Sequence, residues 1–234
     1  MELAKGDFEG HPFHGNQYTD NAGHELFDNR NIKLQIPSEE AKGVEDAMNE
    51  IFGRKPNKEE IAGLIGAPSG TTIKLEGSRG VIGFVATHPY FDGVQQRLLY
   101  KIDGKIVLEN KSFYKDNSAP EGFGTRVFAN QVLNAKKMGV DRIVTMAGRG
   151  ADANGYYTWA RLGYNNVEKL PTYKEGAKGF EGKNDIHEIM SSKEGRDWWK
   201  KNGSDFEGKF DLNEGSKSLQ VLKNYLREKK FYVG

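Results

Sequence analysis

Ala119-Pro120-Glu121-Gly122-Phe123-Gly124-Thr125-Arg126 joins a segment of strand character to one of helical character. Before it, Lys105 to Tyr114 reads as a strand. After it, from Gly124 to Met138, Val127, Phe128, Val132, Leu133 and Met138 recur at helical spacing, and Gly139 is the stop. Glycines at such a junction let the backbone approach a ligand closely. The unpaired amides of a first helical turn, at the positive end of the helix dipole, favour phosphate there, and Arg126 adds a cation. No Gly-Lys-Ser/Thr follows, so this is not a Walker loop. A third glycine is missing and the preceding strands read as antiparallel, so it is not a dinucleotide fingerprint either. A plain structural turn is the competing reading.

Upstream, Asn31 to Ile36 alternates Ile32, Leu34 and Ile36 with polar residues, as a half-buried strand does, and Pro37-Ser38 closes it. Ser38 is the expected N-cap of a helix whose apolar face is Val44, Ala47, Met48, Ile51 and Phe52. Asn57 and Glu60 have capping-box spacing at the head of a short helix through Ile61, Leu64 and Ile65. Thr72 to Leu75, Val81 to Thr87, Gln95 to Ile102 and Lys105 to Tyr114 form an antiparallel meander. Asp103-Gly104 is its hairpin turn, because both residues tolerate positive φ.

Downstream, Asp141 to Ala147 reads as a strand and Asn154 to Leu162 as a helix stopped by Gly163, so strand, loop, helix and strand have the order of a parallel βαβ connection. Tyr173 to Asn184, rich in Gly, Lys and Glu, reads as a linker or surface loop. Helices follow over Asp185 to Met190, from a Ser191 cap through Trp198-Trp199, and from a Ser216 cap through Leu219, Leu222, Tyr225 and Leu226. The expected fold class is α/β (α+β), a mixed, mostly antiparallel sheet with flanking helices over 31–170. An irregular N-terminal arm occupies 1–30, and a linker with a helical extension occupies 171–234.

Composition narrows the function. A chain of 234 residues buries enough surface to fold without a disulfide or metal staple, and Cys 0 excludes thiolate metal sites, disulfides and cysteine nucleophiles. Lys+Arg 34 against Asp+Glu 33 gives a net charge of +1, which argues against a nucleic-acid coat, and the charges of 1–30 are mostly acidic. The longest apolar stretch, near Val81 to Ala86, is far too short to cross a bilayer, so a soluble chain with no membrane partner is expected. Met1 to Asp7 has neither the basic start nor the apolar run of a secretory signal. His11, His14 and His24 share the arm without carboxylate spacing, so no metal site is expected; His88 and His187 read as structural or surface residues. Trp198-Trp199 reads as a satellite core beside Val221, Leu222 and Tyr225 rather than as a base-stacking platform.

Leu108 to Tyr114, Glu121 to Phe128, Ala135-Lys136-Lys137-Met138-Gly139-Val140, Arg142-Ile143-Val144-Thr145 and Gly155-Tyr156-Tyr157-Thr158-Trp159-Ala160-Arg161-Leu162-Gly163-Tyr164 follow one another in a suggestive order. Together they resemble the GNAT acyltransferase superfamily over roughly Ile32 to Tyr164. The resemblance implies a GNAT-like fold, acetyl-CoA as co-substrate, and an N-acetyltransferase that passes an acetyl group to an amine by direct attack, without a metal. It implies a CoA-binding loop at Gly122, Phe123, Gly124, Thr125 and Arg126, with Phe113 and Tyr114 beside it. Tyr156 or Tyr157 would protonate the leaving thiolate. Glu109, on one strand face with Lys111, would be the base. Ala119 stands where the family pattern has Gln or Arg, and Trp159 where it has Tyr; both favour a second reading, a GNAT-like binding or virion-structural protein without catalysis. DNA-base modification is a third, weakened by the lack of a broad basic stripe.

Glu9 to Thr19 is similar to a short segment recurring at the edges of phage-encoded proteins. Met190 to Lys200, with Phe210-Asp211-Leu212 and Gly215 to Ser218, resembles the tail of phage proteins that carry the same Gly-Tyr-Tyr-Thr-Trp segment. These likenesses imply a bacteriophage-encoded chain, acting in the bacterial host cytoplasm or packaged in the virion. Phe8, Phe13 and Tyr18 of the arm would anchor a phage structural partner.

Overall fold

The computed structural model describes residues 31–150, 154–170 and 183–229. The arm expected over 1–30, with its three histidines and aromatic anchors, lies outside them, as does most of the loop expected at Tyr173 to Asn184. Among the described residues, 31–141 belong to one compact unit and 142–229 to another.

In the first unit, β1 (Lys33–Gln35), β2 (Thr72–Ser78), β3 (Val81–Thr87), β4 (Gln95–Ile102) and β5 (Lys105–Ser112) lie side by side in that order. β2 to β5 form the expected antiparallel meander, and β1 joins its edge in parallel, with Leu34 opposite Ile73. Two-residue turns link β2 to β3 through Arg79 (φ 48) and Gly80 (φ 73), and β4 to β5 through Asp103 (φ 51) and Gly104 (φ 75). Positive φ at both central residues gives the turn whose twist matches that of paired strands.

Alternation along the strands sorts the side chains onto two faces. Ile73, Leu75, Ile82, Phe84, Leu99 and Leu108 are buried on one of them, in cross-strand register. Lys74 and Glu76, and Glu109 and Lys111, form ion pairs on the other. Helix α1 (Ala41–Phe52) buries Val44, Ala47, Met48 and Ile51 as its spacing predicts. It meets β2 through glycine on both sides: a Cβ on Gly77 would fall 2.4 Å from Val44 N, and one on Gly43 would fall 2.1 Å from Gly77 O. Ser38 is not its cap. A turn closed by Glu40 N–H to Pro37 O delays the helix, Glu40 takes the N-cap position, and Ser38 Oγ donates to Glu39 instead.

Helix α2 (Lys58–Leu64) opens with the expected capping box, Glu60 N–H donating to Asn57 Oδ1 and Asn57 N–H to Glu60 Oε2, both at 2.8 Å. It packs closely on α3 (Phe123–Lys137), where a Cβ on Gly66 would fall 2.0 Å from Val127 O. Asp141 closes the unit by accepting the Ile106 amide on its carboxylate and donating its own amide to Ile106 O.

The second unit comprises β6 (Arg142–Ala147), α4 (Gly155–Arg161), β7 (Asn165–Asn166), α5 (Ile186–Ile189), α6 (Lys193–Asn202), β8 (Phe206–Asp211) and α7 (Lys217–Glu228). The sequence reading did not include β8. It lies between β6 and β7, antiparallel to both. Phe206, Gly208 and Phe210 alternate inward along it, and Tyr164 meets Phe210 edge-on at 5.6 Å. Leu219, Leu222 and Leu226 of α7 are buried, and Ser216 caps that helix as expected. The cap of α6 is Ser192; Ser191 is spent one turn earlier, its hydroxyl donating to Glu188 O at the end of α5.

Both units are thus mostly antiparallel sheets with flanking helices, the fold class expected from the sequence. Among the described residues no helix is long and apolar enough to cross a membrane.

Candidate functional site

The strand-to-helix junction opens α3 without a side-chain cap. Gly122 is the N-cap of α3 with φ 76, a conformation that costs any residue with a Cβ roughly 1–2 kcal/mol. No side chain caps the helix. Phe123 N–H donates to Pro120 O and Arg126 N–H to Gly122 O, while the Gly124 and Thr125 amides between them donate to no group among the described residues. Two free N–H groups at the positive end of a 15-residue helix favour an anionic ligand. Gly124 also has a packing reason: a Cβ there would stand 3.0 Å from the edge of the Phe113 ring.

An aromatic cluster anchors the junction through Phe123. Phe123 is fully buried, 5.4 Å from Tyr90, 5.9 Å from Phe91 and 6.1 Å from His88 between ring centroids. Phe91 in turn meets Phe113 at 6.1 Å, and the backbones of 90–92 and 114–116 are stitched together by Asp92 N–H to Tyr114 O and Asp116 N–H to Tyr90 O. His88 accepts the Tyr90 amide on Nδ1, which leaves Nε2 to donate to Ser69 O at 3.1 Å. Burial holds its pKa below the ordinary histidine value, so the neutral ring is the native form.

The sequence-predicted residues of this unit fall on or beside the junction, but their roles differ. Arg126 is 3% exposed, so its charge is not presented at the loop surface. Tyr114 is exposed. Ala119 is buried at the start of the turn. Glu109 is half-buried on the open face of β5, its carboxylate 3.0 Å from Lys111 Nζ. Its neighbour Asn110 points the opposite way, into the core, where it pairs with Gln131 of α3. Arg97 lies with its guanidinium 5.6 Å from the Phe113 ring centroid and donates to Gln96 O and Ser112 O.

In the second unit, Tyr156 and Tyr157 separate by environment. Tyr156 is buried, and its hydroxyl donates to Lys200 O at 2.7 Å. Trp199 Nε1 donates to Tyr156 O at 3.0 Å, and the Arg149 guanidinium lies 4.9 Å from the Tyr156 ring centroid while donating to Lys201 O and Gly203 O. Tyr157 is half-buried beneath Lys200 Nζ, 5.8 Å from its ring centroid, and its hydroxyl has no hydrogen bond among the described residues. Trp159 packs edge-on against Tyr164 at 5.2 Å. Trp199 is core, as expected, but it packs against Phe206 and Gly203 in place of the expected Val221, Leu222 and Tyr225, and Trp198 is half-buried. His187 is buried with Nε2 2.7 Å from Gly163 O, a structural role.

The contributors missing from the sequence reading are the Tyr90-Phe91 pair beside His88, Gln131 and Arg149. The first carried a signal, three rings within four residues between two strands. The other two carried none, since a helical Gln and a loop Arg read as solvated. Among the described residues no group of His, Asp and Glu could hold a metal ion.

No protein-family model and no curated protein sequence matches the chain. Among solved structures, the chain is similar to a GNAT family acetyltransferase from Elizabethkingia anophelis with acetyl-CoA bound. That similarity is 13% identity over 56% of this chain and 76% of the other, with a TM-score of 0.32, so the functional assignment rests on this chain's own residues.

Proposed function

We propose that the chain is an acyl-CoA-dependent N-acyltransferase that passes an acetyl group from acetyl-CoA to an amine. The observation that carries this reading is the uncapped start of α3, where left-handed Gly122 and the free amides of Gly124 and Thr125 stand beside Phe113. A pyrophosphate fits such donors without a lysine or a metal. Gly122, Phe123, Gly124 and Thr125 form the cradle, with Phe113 and Tyr114 at its side; Arg126 contributes from the core rather than by direct contact.

Acetyl-CoA supplies the thioester whose carbonyl carbon bonds to the amine nitrogen as its C–S bond breaks. Glu109 takes the proton released by the amine, with Lys111 holding its carboxylate. Of the two tyrosines of the second unit, Tyr157 is the proposed proton donor, since the Tyr156 proton is committed to Lys200 O. The amine acceptor and any phage partner belong to the same proposal.

The second reading is a scaffold that binds acyl-CoA without turning it over, favoured by buried Arg126 and by Trp159 packed on Tyr164. Release of the CoA thiol from acetyl-CoA, measured over a panel of primary amines, separates the two. Cys 0 means that the protein contributes no thiol background. Thiol release with at least one amine supports the enzyme; binding without release across the panel supports the scaffold.

A further inference from the structure

Asn110 and Gln131 are 2% and 1% exposed, among the most buried polar residues of the first unit. They exchange two hydrogen bonds, Asn110 Nδ2 donating to Gln131 Oε1 at 2.9 Å and Gln131 Nε2 donating to Asn110 Oδ1 at 3.0 Å. The same Nε2 donates to Leu64 O, also at 3.0 Å. One side chain therefore ties β5 and the end of α2 to α3.

Apolar packing depends on area and tolerates sliding, whereas paired amides in a low-dielectric core are lost if strand and helix shift by about an ångström. An apolar pair would fill the same space but leave Leu64 O without its donor; beyond that bond, directionality is what the paired amides add. The two residues are placed to use it. Asn110 stands three residues before Phe113, and Gln131 stands seven after Gly124, about 10 Å along the helix axis. Phe113 and Gly124 are the two rims of the cradle, close enough that a Cβ on Gly124 would stand 3.0 Å from the Phe113 ring.

We infer that Asn110 and Gln131 are positioning residues for the acyl-CoA site, setting the register of α3 on β5 and thereby the place of the free amides relative to Phe113. The inference rests on the acyl-CoA reading above. Its test is acetyl-CoA binding by calorimetry to the full chain carrying Asn110→Leu with Gln131→Leu, and to the swap Asn110→Gln with Gln131→Asn, which restores the same groups with one methylene moved across. The Leu pair is expected to stay folded with a melting temperature lowered by up to about ten degrees, since Leu64 O loses its donor, yet to bind at least about fivefold more weakly, and the swap to recover most of the loss in affinity. If the Leu pair does not fold, Gln131→Met, which keeps volume and helix propensity, takes its place. A folded variant that loses less than about fivefold, or a swap that recovers nothing, overturns the inference. Wild-type chain that fails to bind acetyl-CoA overturns the acyl-CoA reading itself and this inference with it, so the two failures are told apart by the wild type alone.

Discussion

The Tyr156 hydroxyl donates to the main-chain carbonyl of Lys200 at 2.7 Å, and this one bond separates two adjacent tyrosines that the sequence presents as equals. A phenol whose proton is committed to a main-chain carbonyl is a structural group. The free phenol next to it is the one available for proton transfer. Tyr157→Phe is therefore expected to lower the rate of CoA thiol release by about a hundredfold, the usual scale for a lost general acid, with the fold intact. Tyr156→Phe is expected to cost about 1 kcal/mol of stability with turnover nearly unchanged. Steady-state rates and urea unfolding of both variants check the pair, and the reverse pattern would assign the acid to Tyr156.

Gly124 separates ligand from packing. Gly124→Ala places a Cβ 3.0 Å from the edge of a Phe113 ring that can turn aside, so modest weakening is expected. Gly124→Glu adds bulk and a negative charge beside the free amides. Its expected effect on acetyl-CoA affinity is a loss of about a hundredfold or more, roughly 2.8 kcal/mol, with an unchanged melting temperature. Calorimetry on both variants distinguishes the cradle from a plain turn, for which the two substitutions would leave affinity alike.

Much of the first unit was legible because its signals are local. Asp103-Gly104 and the Asn57–Glu60 box act over two to four residues, and the alternation of β2 to β5 needs no distant partner to be recognised. The elements that escaped depend on contacts remote in sequence. Phe206–Asp211 carries a central Gly and alternating charges, and becomes a strand because β6 and β7 flank it. Ser38 and Ser191 both satisfy cap statistics, and a neighbouring turn or helix end displaced each. At the candidate site, the sequence located the strand-to-helix junction and its glycines. It could not show that Arg126 is buried, that the Phe113 ring stands against Gly124, or which tyrosine is free, since each is settled by tertiary packing.

Gly43 and Gly77 predict a stability effect with no functional component. A Cβ on Gly43 meets the Gly77 carbonyl at 2.1 Å, a backbone atom that cannot rotate away. Gly43→Ala is expected to destabilise the first unit by about 3 kcal/mol or more, although alanine favours helix elsewhere. Urea unfolding checks this; a stabilised variant would contradict the helix-to-strand approach described above.

His88 and His187 predict how stability responds to pH. Burial lowers the folded pKa of each below the ordinary value of about 6.5. Below about pH 6.5 the unfolded chain binds protons that the folded chain does not, so this contribution is fully present above that pH and is lost as pH falls toward the folded pKa. Unfolding free energy should therefore decline between about pH 7.5 and 5.5, above the range where carboxylates titrate. His88→Asn, which can still accept the Tyr90 amide, should flatten the decline in the first unit. An unaltered slope would show that His88 is not the group responsible.

The most direct test is calorimetric titration of the full chain with acetyl-CoA and with CoA. Saturable binding at one site, with a Kd on the order of 1–100 µM, is the predicted result. Absence of binding at high micromolar ligand would contradict the reading of the α3 start as an acyl-CoA cradle.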